Sequence, residues 1–189
     1  MLGKQGVIHL AVKAPKLSVY SDPRFPPSIY YRFLYLLAYT VKPKVSVELG
    51  LCGGGGSLHL ALGHPAGKVI GIDNRVEYPD NLKHIREKCP NFEFWRGDSV
   101  DAARRADQTG PLPVDILFID TIHTYERTME EFDAWHPLMA EKGIVVLDDL
   151  HREGMQEAWD DLPGREKIRL DLLHLGGAPT DGGFGVILL

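Results

Sequence analysis

Acidic side chains recur along this chain at one kind of place, where an apolar run stops. Glu48 follows Val45-Ser46-Val47, Asp73 ends Lys68–Asp73, Asp120 ends Val114–Asp120, and Asp148 and Asp149 follow Ile144–Leu147. Asp98 stands in the turn Gly97-Asp98-Ser99, just after the shorter run Phe92–Trp95. Taken singly, each acid is a helix cap. Their repetition predicts a shared functional rim, because ligands of parallel sheets bind outside the carboxyl ends of the strands. Between Glu48 and Ser57 lie Gly50, Gly53, Gly54, Gly55 and Gly56. Such a turn lets a ligand approach bare amides. The helix opening near Ser57 adds free N–H groups and a partial positive charge. A nucleotide-like ligand with its anionic part at this turn is expected. Glu48, two residues before Gly50, suits a cationic group such as an amino-acid ammonium and is poor company for a pyrophosphate. Asp73 is placed to accept hydrogen bonds from ribose hydroxyls. In Asp120-Thr121-Ile122-His123-Thr124-Tyr125, the imidazole is either a proton acceptor near neutral pH or a hydrogen-bonded surface histidine.

The elements that must position these residues alternate. Ser28–Val41 has the spacing of an amphipathic helix stopped by Pro43, and its tyrosines Tyr30, Tyr31, Tyr35 and Tyr39 are assigned to packing and surface. Strands are expected at Val45–Glu48, Lys68–Asp73, Phe92–Trp95, Val114–Asp120 and Ile144–Leu147. Helices fall near Gly56–Gly63, Pro79–Cys89, Val100–Ala106, Tyr125–Ala140 and Met155–Leu162, with Gly143 breaking the fourth of these. Ile168–Leu173 and Phe184–Leu189 are two closing strands joined by the loop Gly176–Gly183, and Val7–Val12 is an edge strand or part of an arm. Alternation of this kind implies parallel βαβ units under helices on both faces. The last two strands, with no helix between them, imply an antiparallel edge hairpin. The expectation is a single α/β domain in three layers with a mostly parallel seven-stranded sheet. Residues 44–189 form its core, and an arm and helix at 1–43 pack on it.

Glu48-x-Gly50 with its glycine run, Asp73 and Gly97-Asp98-Ser99 together resemble the Rossmann-like S-adenosylmethionine-dependent methyltransferases (class I). The resemblance runs from about Lys44 to Leu189. The loop departs from E/D-x-G-x-G-x-G, with Cys52 at the middle glycine. Asp120-x-x-His123-x-Tyr125, then a helix, Gly143, an apolar strand and Asp148-Asp149, are similar to the small-molecule O-methyltransferase branch that modifies sugars and antibiotics with the help of a metal. That branch often has Glu-Asp where this chain has Asp148-Asp149. The resemblance implies S-adenosylmethionine as cofactor. It would be bound by Glu48, Gly50, Gly53, Gly54, Ser57, Asp73 at the ribose, Asp98 at the adenine amine, Ser99 and Asp120. It further implies Mg²⁺ or a similar divalent cation at Asp120, Asp148 and Asp149, with His123 as catalytic base beside Asp120. The acceptor would be a hydroxyl on a small molecule. Residue by residue, simpler roles stand beside these: Asp120 and Asp149 as caps, and Trp135 as core.

Composition bounds the alternatives. The 189 residues carry a net charge of −5 with scattered Lys and Arg, which argues against a nucleic-acid groove. No apolar run reaches membrane-spanning length. Cys52 and Cys89 are expected as free thiols in a cytoplasmic protein. A chain this short leaves little to cover the site, so a homodimer is one expectation. Two rival readings remain. One is an NAD(P)-dependent oxidoreductase, against which the missing G-x-G-x-x-G counts. The other is a non-catalytic module binding S-adenosylmethionine or a nucleotide.

Overall fold

The computed structural model describes Phe25, residues 28–170 and residues 182–189. The expected strand at 7–12, the end of the one at 168–173, and the joining loop up to residue 181 lie outside the described residues. The elements, in order, are α1 (Ile29–Val41), β1 (Val45–Leu49), α2 (Gly55–Gly63), β2 (Lys68–Asp73), α3 (Pro79–Lys88), β3 (Phe92–Arg96), α4 (Ser99–Thr109) and β4 (Val114–Ile119). There follow α5 (Tyr125–Trp135), a 3₁₀ turn His136–Leu138, β5 (Met139–Leu147), α6 (Met155–Asp161), β6 (Glu166–Leu170) and β7 (Phe184–Leu188).

The seven strands form one sheet in the order β3-β2-β1-β4-β5-β7-β6. β1 to β5 pair in parallel, and β7 runs antiparallel between β5 and β6. Period-two alternation sorts the side chains into two cores. Val47, Leu49, Leu117, Ile119, Val145 and Leu147 pack with Phe132, Trp135 and Trp159 beneath α4, α5 and α6. Ile116, Phe118, Ile144 and Val146 pack with Leu34, Ala38, Leu58 and Ile85 beneath α1, α2 and α3. All five residues of β1 are buried, as a central strand covered on both sides requires.

Register creates the rim. Leu49 is level with Ile72 on one side and Ile119 on the other, and Ile119 is level with Leu147. The residues that follow, Gly50, Asp73, Asp120 and Asp148, therefore emerge side by side. β1 pairs with β2 on one flank and β4 on the other, which is the switch point where a crevice opens.

The junction of α5 and β5 departs furthest from the sequence expectation. α5 ends at Trp135, not Ala140, and β5 already begins at Met139, so Gly143 lies inside a strand. Pro137 has no N–H to continue the helix. The pairing of β4 with β5 then shifts register between Val114 and Ile116, which accommodates the extra residues of β5.

Trp135 is fully buried, and its indole N–H donates to the Ser99 carbonyl at 2.9 Å. Trp135→Ala is expected to cost about 3–5 kcal/mol of folding stability, read from the midpoint of urea unfolding.

Candidate active site

A cavity of about 730 Å³ opens along this rim. At its centre the chain turns through Gly50, with φ of 85°, where a side chain would run into the Asp120 backbone. The Gly50 amide donates to Ile72 and the Asp120 amide donates to Leu49, both at 2.9 Å, so the turn is sewn to both neighbouring strands. Asp73 holds the loop in shape. Its carboxylate accepts from the Cys52 amide at 3.0 Å and the Arg75 amide at 3.1 Å.

Glu48 is buried on the α2 side of β1. Its partners are the Ser57 amide, at 2.7 Å, and the Ser57 hydroxyl. Burial first, and then the charges of Asp120 and Asp73, push its pKa well above the ordinary carboxylate range, and among the described residues no cation pairs with it. Gly50, Gly53 and Glu48 line the cavity. Gly54 and Ser57 are not on its wall. Gly54, with φ of 81°, faces Ile85 of α3, and Ser57 is occupied by Glu48.

Asp98 caps α4, accepting from Val100 and Asp101 amides at 2.8 and 3.2 Å. Arg127 of α5 reaches across to it at 2.6 Å and to the Ser99 hydroxyl at 2.5 Å. The same guanidinium donates to Glu131 at 2.9 Å. Glu131 is fully buried and also accepts from the hydroxyls of Ser99 and Thr121, the latter at 2.8 Å. The Asp98–Ser99 turn is thereby tied to the segment between Asp120 and His123.

At the other end, ligand atoms of Asp120, His123 and Asp148 lie within 4.8 Å of one another. His123 Nε2 is 3.1 Å from Asp120 Oδ1 and 3.6 Å from Asp149 Oδ2. Arg152 Nε lies 2.5 Å from the same Asp149 oxygen. His123 and Asp149 both have φ of 54°, an uncommon conformation for residues other than glycine, held here by the ends of β4 and β5. Asp148 Oδ1 is buried without a hydrogen-bond partner among the described residues. Burial raises the pKa of Asp120 to about 7 and, with the charge of Asp120, that of Asp148 to about 8. Burial lowers the pKa of His123. This donor set fits a divalent cation: two carboxylates desolvated together, one oxygen unpartnered, and an imidazole beside them.

Several wall residues escaped the sequence reading, four of them with side chains that shape the site. Tyr31 was assigned to packing and surface, yet it lines the cavity, as do Arg127, Glu131 and Arg152. Arg127 and Glu131 are spaced i, i+4 on one helix face, which is a signal for their pairing. Nothing local marks Tyr31. Trp135 sits in the core, as expected, and both cysteines are free. Among the described residues no helix is long and apolar enough to cross a membrane.

Residues 47–150 match the family described as methyltransferase domain. The chain belongs to that family, and its fold is the Rossmann-like fold of the class I S-adenosylmethionine-dependent methyltransferases. Among solved structures it is similar to an O-methyltransferase from Bacillus cereus in complex with SAH, with TM-score 0.70 and 19% identity over 88% of this chain and 83% of that one. It is also similar to the O-methyltransferase TomG from Streptomyces achromogenes, involved in tomaymycin synthesis and in complex with SAM, with TM-score 0.66 and 18% identity over 95% and 92%. A methyltransferase from Geobacter sulfurreducens matches with TM-score 0.66 and 19% identity over 88% and 82%. The search of curated proteins gives no significant match.

The raised carboxylates set a pH dependence of stability. Between about pH 4 and pH 8 the folded chain holds protons on Asp120 and Asp148 that the unfolded chain releases. Their contribution is therefore largest at the acid end and falls as pH rises through that window. In EDTA, the melting temperature is expected to drop from pH 5.5 to 8.5. Asp148→Asn should flatten that drop and raise the pH 8.5 value by about 2–4 °C, on the order of 1 kcal/mol at this length.

Proposed function

We propose that this chain transfers the methyl group of S-adenosylmethionine to a hydroxyl oxygen of a small molecule, with a divalent cation at Asp120, Asp148 and Asp149. The observation that carries the reading is the group of Asp120, His123 and Asp148, of which Asp120 and His123 line the same cavity as Glu48, Asp73 and Asp98. Glu48 is a buried carboxylate without a cation and suits the methionine ammonium. The free amides at the start of α2 suit the methionine carboxylate. The outer lone pairs of Asp73 suit the ribose hydroxyls, and Asp98 with Ser99 borders the place for adenine.

The sulfonium of a bound cofactor would supply an electrophilic methyl group, the acceptor oxygen gaining the bond to carbon as the bond to sulfur breaks. Asp120, Asp148 and Asp149, with His123 at their side, would hold a divalent cation, which would supply acidification and orientation of an acceptor hydroxyl. His123 takes the hydroxyl proton at Nδ1, the ring nitrogen that Asp120 does not hold. Burial keeps its imidazole neutral near pH 7 and so ready to accept. Asp120 Oδ1 holds Nε2 at 3.1 Å, and Asp149, itself paired with Arg152, lies 3.6 Å from the same nitrogen. The complexes of similar folds with SAH and SAM support the cofactor class.

Calorimetric titration with S-adenosylhomocysteine, alone and with Mg²⁺ or Mn²⁺, tests the reading. Saturable cofactor binding is expected, together with a metal isotherm that Asp120→Ala abolishes. In a hydroxyl-acceptor screen, His123→Ala should lower kcat by about 10²–10⁴. Wild-type turnover in that variant would remove His123 from the chemistry. A folded chain that does not bind S-adenosylhomocysteine would return the nicotinamide reading to first place.

A further inference from the structure

Tyr31 is the one wall residue contributed by α1, and its ring is held by two residues of α2. It lies so close to Gly55 that any side chain at that position would overlap its phenol. It also stacks on His59, with ring centroids 5.1 Å apart and planes 15° from parallel. His59 is itself anchored, its Nδ1 lying 2.7 Å from the Gly55 carbonyl oxygen. The clamp fixes the hydroxyl over the first residue of α2, on the cavity wall. Burial, and then the charges of Glu48, Asp120 and Asp148, hold the phenol protonated, so it acts as a donor and not as a base.

Among the described residues, the wall around that hydroxyl lacks a free cation. Arg75, Arg127 and Arg152 each already face an acid, Glu77 at 3.8 Å, Asp98 at 2.6 Å and Asp149 at 2.5 Å respectively. The glycine run supplies no side-chain donor at the start of α2. Among the described residues, an anionic group seated there has the amides of α2 and this phenol. Building on the cofactor reading above, we propose that the Tyr31 hydroxyl donates a hydrogen bond to the α-carboxylate of the methionine moiety of S-adenosylmethionine. α1 thereby becomes part of the cofactor site.

The test compares two ligands on two proteins. S-adenosylhomocysteine carries the carboxylate; its decarboxylated analogue, S-adenosyl-3-thiopropylamine, keeps the ammonium, sulfur and nucleoside. Tyr31→Phe retains the ring and its stack. Calorimetry should show Tyr31→Phe weakening S-adenosylhomocysteine about tenfold, as for loss of a hydrogen bond to a charged group, while the analogue binds both proteins alike. The unliganded melting temperature should stay at the wild-type value. Equal weakening of both ligands would assign Tyr31 a packing role and overturn the proposal. Unchanged affinity for S-adenosylhomocysteine, with an altered acceptor KM, would overturn it in favour of an acceptor contact. A wild-type chain that binds neither ligand would overturn the cofactor reading itself, and this role with it.

Discussion

Carboxylates brought together at the ends of buried parallel strands repel one another and lose their water, and this chain gathers them around one crevice. The sheet leaves little choice. With β1, β2, β4 and β5 ending level, the residues after Leu49, Ile72, Ile119 and Leu147 share one edge. A carboxylate there is stable only when paired or protonated, or when a bound cation replaces the missing water. The site is built from different answers to that one constraint.

At the adenine side the answer is internal. Arg127 bridges Asp98 and Glu131, and the buried Glu131 also collects two hydroxyls. This end is satisfied before any ligand arrives, as a turn that presents a fixed edge should be. Asp73 is likewise occupied, by amides of its own loop and of the glycine turn. At the other end the answer is left open. Among the described residues Glu48 meets only Ser57, Asp148 keeps an oxygen without a partner, and both have raised pKa values. In the proposed function, the unsatisfied carboxylates would meet positive charge, at the cofactor's ammonium and at a metal beside the acceptor. The satisfied ones would meet neutral groups, ribose and adenine.

Strand ends were legible in the sequence because they depend on local facts. Apolar runs end in acids, and parallel pairing makes those ends coincide. The acids and His123 could be placed at one rim on that basis alone. The residues that escaped detection reach the cavity from other elements. Arg127 and Glu131 lie on α5, on a helix whose charged face also fits ordinary solvent exposure. Tyr31 lies on α1, where its spacing fits packing as well as function, and only the approach of α1 to α2 decides between them. The end of α5 was misjudged because the apolar pattern continues through Leu138 and Met139, while Pro137 ends the helical hydrogen bonding. The pattern reports which residues are buried, and in this segment it does not separate a helix from the strand that follows.

The glycine run shows how one sequence signal can hold several constraints. Its resemblance to a nucleotide-binding turn rests on backbone freedom, yet only Gly50 and Gly54 have positive φ. Cys52 also adopts φ of 43° and does so without being glycine, helped by its amide bond to Asp73. Gly55 and Gly56 are helical, where glycine costs about 1 kcal/mol against alanine. Space explains them. A side chain at Gly55 would strike the Tyr31 ring, and one at Gly56 would strike the Glu48 carboxylate and Phe118. These two glycines admit a phenol from α1 and a carboxylate from β1 to the same helix start. The departure from the usual glycine spacing therefore follows from what packs against α2, and the turn's chemistry comes from those neighbours as much as from its own amides.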